Sequence, residues 1–170
     1  MSDPAKTIAF QGAPGAYSDL ACRNARLEMA TLPCHSFEDA FAAVRGNAAE
    51  LAMIPIENSV AGRVADIHHL LPDSGLHIIA EHFQRVDHHL LGLPGTKIAD
   101  LTHVHSHVHA INQCRKFIAE HGLEPMIHAD TAGAAAEIAS GGDKTQGAIS
   151  SALAGETYSL QSLKANIEDA

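Results

Sequence analysis

The chain has 170 residues, with 11 Lys and Arg against 20 Asp and Glu, a formal charge of −9, and 13 His. Its 46% hydrophobic content is too high for a disordered chain, and no apolar run approaches the ~20 residues that a membrane span needs. The acidic balance argues against nucleic acid as a partner, because a phosphate backbone needs a concentrated basic face.

The predicted elements alternate between strand and helix. The start, Met1-Ser2-Asp3-Pro4-Ala5-Lys6, is polar and lacks the basic region and long apolar segment of a secretory leader, so a cytoplasmic location is expected. Thr7–Gln11 is a predicted strand that breaks at Gly12-Ala13-Pro14-Gly15, and Ser18 is the expected cap of the helix that follows. Ser36 is the expected cap of a second helix, with Phe37, Ala40, Phe41 and Val44 on one face and Gly46 at its end. Leu51–Ile56 is all apolar, as expected of a strand buried on both faces. A helix from Val64 to Leu71 stops at Pro72.

Leu76–Phe83 and His88–Leu93 then read as two strands with no helix between them, which suggests a crossing from one sheet to another. A second alternation follows. It runs through a strand around Val104, a helix over Val108–His121, a strand over Met126–Ala129, and a helix capped by Thr131. A short strand over Gly147–Ile149 and a helix capped by Ser150 complete it. Strands alternating with helices predict parallel α/β sheets. In such sheets ligands sit at the carboxyl ends of the strands, where helix starts offer amides and partial positive charge. An acidic chain can therefore still bind an anion.

Three segments hold candidate chemistry. Gly12 to Ser18 has neither the spacing of a dinucleotide fingerprint nor the ending of a phosphate loop, so a tight turn is the expectation. Glu57-Asn58-Ser59 puts three polar residues at the end of an apolar strand and suggests a ligand contact. His103, His105, His107 and His109 alternate as for one face of a strand, but no suitable Asp or Glu completes a zinc site. The expectation is no metal, with one His used for chemistry. Cys22, Cys34 and Cys114 are odd in number and widely spaced, as expected of free thiols in a reducing compartment.

Five segments, in order, resemble the catalytic domain of prephenate dehydratase. They are Gly12-Ala13-Pro14-Gly15-Ala16-Tyr17-Ser18, Pro55-Ile56-Glu57-Asn58-Ser59 and Ser106-His107-Val108-His109-Ala110-Ile111-Asn112-Gln113-Cys114. The last two are Asp130-Thr131-Ala132-Gly133-Ala134-Ala135 and Gly147-Ala148-Ile149-Ser150-Ser151. The family pattern has Thr where Ala16 stands and Pro-Gln where Val108-His109 stand.

The resemblance implies two Rossmann-like lobes of periplasmic-binding-protein type II architecture, with an active-site cleft between them. Residues 1–78 and 160–170 would form lobe 1 and residues 79–159 lobe 2. It implies decarboxylating dehydration of prephenate to phenylpyruvate in L-phenylalanine biosynthesis, without metal or cofactor, since incipient aromaticity activates the substrate. His107 and Glu57 are the implied catalytic residues within the chain. Asn58, Ser59, Ser106, Thr131, Ala132, Ser18 and Ser150 are the implied substrate contacts. The family's Thr-Arg-Phe motif and its ACT domain would lie beyond Ala170, as for a truncated catalytic domain that forms homo-oligomers in its full-length form. The alternative reading is a non-catalytic two-lobed module for small anions.

Overall fold

A computed structural model of the chain describes residues 3–59 and 62–169. Met1, Ser2 and Ala170, the outermost residues of the predicted first lobe, lie outside the described residues. The backbone divides into two compact units, Met1–Ala13 with Tyr17–Gln84, and Pro14–Ala16 with Arg85–Ala170. Among the described residues no helix is long and apolar enough to cross a membrane.

The first unit is built on strand β1 (Thr7–Gln11), whose first four residues are all buried. Helix α1 (Tyr17–Ala25) follows, with Ser18 as its second residue rather than its cap. Strand β2 (Ala30–Cys34) was not expected, because Pro33 breaks its pattern. Pro is tolerated at a sheet edge, and β2 pairs parallel to β1 at the edge of the order β2-β1-β3. Helix α2 (Phe37–Arg45) starts where predicted: Ser36 Oγ accepts the Asp39 amide at 3.1 Å. Its Ala40 packs with Ala9 and Ala49 in the core of this unit.

Strand β3 (Leu51–Met53) is shorter than the predicted Leu51–Ile56 run and is a half-buried edge strand, not one buried on both faces. Pro55 has no amide to give a ladder, so pairing cannot continue through it. Glu57–Asn58 (β4) and Gly62–Arg63 (β5) form a small antiparallel hairpin. Helix α3 (Ala65–Leu70) follows. The predicted strand Leu76–Phe83 is extended chain without a ladder partner among the described residues, and it leaves Ile78, Ile79 and Phe83 exposed.

The second unit carries a five-stranded mixed sheet. Its elements are β6 (His89–Gly92), β7 (His103–His107), α4 (Val108–Gln113), α5 (Arg115–Glu120) and β8 (Glu124–His128). After them come α6 (Thr131–Gly141), β9 (Gln146–Ser150), α7 (Ala152–Thr157) and β10 (Gln161–Ala165). The order is β10-β6-β9-β7-β8. Strands β7, β8 and β9 are parallel, whereas β6 runs antiparallel to both β9 and β10, so the expectation of purely parallel sheets fails here. On one face Leu90, Val104 and Ile149 pack with Ile111, Cys114 and Ile118 of the α4–α5 region. On the other lies α6, whose buried Ala132, Ala134 and Ala135 allow close approach to the strands.

Five expectations are corrected in this unit. The predicted helix Val108–His121 breaks at Cys114, whose φ of −120° and ψ of 22° are not helical. Ser150 is the last residue of β9, and the cap of α7 is Ser151, whose Oγ accepts the Ala154 amide at 3.0 Å. Thr131 is the first residue of α6, and the cap is Asp130. Residues 160–170 were expected with the first lobe, but Gln161–Ala165 pairs with β6. Beyond it, Ile167 is buried in the core, the Ile167 amide donates to the His88 carbonyl, and Glu168 accepts the His88 amide at 2.9 Å. The unit boundary also falls after Gln84 rather than at 78.

Candidate functional site

Strand parity sorts the predicted residues of the second unit. Successive side chains of a strand point to opposite faces. His105 and Gln146 line a depression with Glu137 and Ile138 of α6, so His103, His105, His107, Gln146, Ala148 and Ser150 share the α6 face. Register pairs His107 with His128, and His89 with Ser150. It also pairs His105 with Ala148, so two residues further on Ser150 stands beside His107. A row of four residues, His89, Ser150, His107 and His128, therefore crosses four strands at the end where β7, β8 and β9 finish and α6 begins.

Ser150 is the notable member. It is 0% exposed, and its Oγ has no hydrogen-bond partner among the described residues. A buried hydroxyl without a partner costs about 1–3 kcal/mol, so it needs a reason to exist. Ser106 is equally buried but has the opposite parity, that of Val104. Its Oγ donates to the Ile149 carbonyl at 2.6 Å, tying β7 to β9. Ser106, expected as a substrate contact, lies on the α4 face with its hydroxyl proton given to this bond.

His107 caps α4: its Nδ1 accepts the His109 amide at 3.3 Å. A neutral ring that accepts at Nδ1 carries its proton on Nε2. Burial, helped by the neighbouring His109, lowers the His107 pKa, and the Asp130 carboxylate opposes this. The ring is therefore neutral at neutral pH, suited to donate or accept one hydrogen bond. Asp130 holds the start of α6, with Oδ1 accepting the Gly133 amide at 2.6 Å. Thr131 is half-buried and Ala132 buried in the same turn. Their amides, the first two of the helix, have no partner within it.

The other strand His of the run are engaged with residues outside it. His105 Nδ1 lies 2.8 Å from His128 Nε2, and its Nε2 lies 2.7 Å from Gln146 Oε1. His128 Nδ1 is 3.3 Å from Glu137. His109 is not in the strand but in α4. Among the described residues no three His, Cys, Asp or Glu side chains are grouped to hold a metal ion.

The first unit contributes its own polar segment. Glu57 and Ser59 are exposed and Asn58 is half-buried, all on β4 and the turn after it. Ser18 is half-buried in the first turn of α1, beside a fully buried Asp19 that pairs with Arg23 at 2.9 Å.

Sequence reasoning missed three features. Gly15, in the glycine-rich turn, has φ +88° and accepts the Ser151 hydroxyl at 2.5 Å. A Cβ there would stand 2.7 Å from the Ala154 Cα, so the position admits only glycine. His88 is buried, with Nε2 2.7 Å from Gln113 Oε1, and burial lowers its pKa. Asp130 carried an available signal, since Asp is a stronger helix cap than Thr. The thiols offer no nucleophile: burial pushes Cys22 and Cys114 up to about 12 and raises Cys34 as well.

Comparison with known proteins places this geometry. A family model described as prephenate dehydratase matches residues 8–170. A bifunctional N-acyl-homoserine lactone acylase/prephenate dehydratase from Komagataeibacter europaeus is 54% identical over 165 residues, 97% of this chain and 59% of the relative. The chloroplastic arogenate dehydratase/prephenate dehydratase 1 of Arabidopsis thaliana is 42% identical over 162 residues, 95% of this chain and 41% of the relative. The chain thus spans about half the length of these relatives. Among solved structures, the quorum-quenching acylase GqqA superposes with a TM-score of 0.92 at 55% identity, covering 96% of this chain and 60% of the other. Prephenate dehydratase from Arthrobacter aurescens, in complex with L-Phe, gives 0.88 at 28% identity, covering 96% and 56%. This chain belongs to the prephenate dehydratase family.

Proposed function

We propose that the chain forms the dehydratase part of an enzyme that converts prephenate, or its amino-acid counterpart arogenate, to the aromatic product with loss of carbon dioxide and water. The observation that carries the reading is Ser150: a buried hydroxyl without a partner among the described residues, at the carboxyl end of a central strand and on the face that α6 covers. The reaction needs a carboxylate held in place and a proton supplied to the departing ring hydroxyl. The Thr131 and Ala132 amides and the Thr131 hydroxyl suit the first task. Neutral His107 suits a hydrogen bond from Nε2 to that hydroxyl, and Glu57 is the proposed proton donor. Asn58, Ser59 and Ser18 are the first unit's proposed contacts. The two-lobed binding-protein-like architecture, an intracellular setting in phenylalanine biosynthesis, and homo-oligomerisation of the longer protein belong to the same proposal.

The test is incubation of the chain with prephenate and with arogenate, following phenylpyruvate by ultraviolet absorbance and phenylalanine by chromatography, with calorimetry for binding. Product formation that falls in His107→Gln is the expected result. Binding without turnover supports the anion-binding module instead, and no binding of either compound sinks both readings. One observation favours a second activity, the 54% identity to a relative named also as an acylase. Release of fatty acid from an N-acyl-homoserine lactone tests it, and no release from a chain that converts prephenate dismisses it.

A further inference from the structure

We propose that Asp169 is a positioning residue: it holds open the break between α4 and α5, and so fixes the direction of α4 and the His107 ring that caps it. The bearing of this on catalysis rests on the dehydratase reading above.

The break has no cause in its own sequence. Residues 108–121 contain neither Pro nor Gly, yet the helix is interrupted at Cys114. Helices without such residues break where another group inserts into the ladder of amides and carbonyls. In an unbroken helix the Gln113 carbonyl would take the amide of residue 117, and the Lys116 amide would go to the carbonyl of residue 112. Here Asp169 engages both groups. Its amide donates to the Gln113 carbonyl at 2.5 Å, and its carboxylate accepts the Lys116 amide, at 3.2 Å on Oδ1 and 3.3 Å on Oδ2.

Asp169 is itself anchored. Ile167 is buried in the core and its amide donates to the His88 carbonyl at 3.1 Å, while Glu168 Oε2 accepts the His88 amide at 2.9 Å. His88 Nε2 lies 2.7 Å from Gln113 Oε1, an oxygen that only accepts, so the ring donates there. The last residue of α4 is therefore gripped through both its main chain and its side chain.

Helix α4 has six residues and is about 9 Å long. At its other end His107 Nδ1 accepts the His109 amide at 3.3 Å, which leaves the ring proton on Nε2. Without the Asp169 carboxylate, α4 and α5 relax toward one continuous helix. The first turn of α4 moves, the His109 amide leaves Nδ1, and the Nε2 proton is no longer aimed at the departing hydroxyl. A misplacement of about 1 Å at a reacting group costs up to about 100-fold in rate.

The test compares the intact chain with Asp169→Ala, Asp169→Asn and the double variant Asp169→Ala/Lys116→Pro. Asn keeps an oxygen that accepts the Lys116 amide. In the double variant, Pro has no amide to satisfy and forbids a continuous helix, so the break returns without the carboxylate. Nitrogen NMR shifts of the His107 ring are read alongside kcat and KM for prephenate and arogenate, each on protein shown to be folded by circular dichroism. Asp169→Ala is expected to turn the fixed Nε2 tautomer into a mixture and to lower kcat by about 10- to 100-fold with KM little changed. Asp169→Asn and the double variant are expected to restore both. A purely stabilising role would lower Tm and leave the ring and the kcat of the folded protein as they are. Unchanged ring shifts or unchanged kcat in Asp169→Ala overturns the inference and leaves the dehydratase reading intact, and failure of the double variant to restore them overturns it as well. If the wild type converts neither compound, the dehydratase reading fails, and the ring shifts alone decide whether Asp169 positions His107.

Discussion

Ser106 and Ser150 are both fully buried, both sit at the ends of neighbouring strands, and should respond to the same substitution in opposite ways. Ser106→Ala removes a 2.6 Å hydrogen bond to the Ile149 carbonyl. Losing such a buried bond costs about 1–2 kcal/mol. At about 2–4 °C per kcal/mol for a chain of this size, Tm should fall by about 2–8 °C. Ser150→Ala removes a hydroxyl that has no partner among the described residues. It relieves a desolvation penalty of about 1–3 kcal/mol, less the small packing loss of one oxygen, so stability should be unchanged or higher. Binding should show the reverse order. Ser150→Ala should weaken binding of the substrate by about 10-fold, whereas Ser106→Ala should leave the affinity of the folded fraction unchanged. Urea unfolding followed by far-ultraviolet circular dichroism reads the first property and calorimetry the second. If Ser150→Ala proves less stable than Ser106→Ala, Ser150 has a structural partner and the site argument built on it collapses.

Two further substitutions test the packing and the ionisation. Gly15→Ala should destabilise by about 2–5 kcal/mol, the sum of a left-handed φ and a 2.7 Å clash with the Ala154 Cα, whereas Gly122→Ala, at φ +63° with open space around it, should lose only the backbone share. Equal losses in urea titrations would show that the docking of Pro14–Ala16 on α7 contributes nothing. His88 tests the pH dependence. Its folded pKa lies below the 6.5 of an unperturbed His, because burial disfavours the imidazolium more than Gln113, Glu168 and Asp87 favour it. The unfolded chain therefore takes up the proton first. Stability should be full above pH 6.5 and should be lost as the pH falls through the depressed folded value. His107, whose pKa is also lowered, adds to the same slope. His88→Gln should flatten the decline in Tm between pH 7 and pH 5, and an unaltered slope would remove His88 from the account.

Much of the fold was legible because its signals are local. The Ser36 cap, the α2 face and the Gly46 stop are all set within one helix, and they appear where the pattern puts them. Strands β1 and β7 are apolar or alternating runs bounded by breakers, and they too are found. What was not legible depends on partners distant in sequence. Leu76–Phe83 has a strand's composition, but a strand exists only when a neighbour completes its ladder. Gln161–Ala165 has an unremarkable composition and becomes β10 because β6 offers an edge. The direction of β6, antiparallel between two strands, is likewise a property of the sheet and not of His89–Gly92.

The errors at the candidate site have a different origin, and it is informative. Both predicted caps at the ligand end were misplaced by one residue, Thr131 for Asp130 and Ser150 for Ser151. Each neighbour is a competent cap by residue type, so propensity alone cannot choose between them. The one-residue shift is what frees the side chains proposed for the site. With Ser151 capping α7, the Ser150 hydroxyl is released from structural duty and left on the α6 face without a partner. With Asp130 capping α6, the cap is not the Thr131 hydroxyl but a carboxylate that accepts the Gly133 amide. Strand parity then decides which of the adjacent polar residues belong to the site. Ser150 and His107 lie on the α6 face, and Ser106 is excluded although it adjoins His107 in sequence. A motif written as Ser-His thus holds one structural residue and one functional candidate, and only the sheet tells them apart.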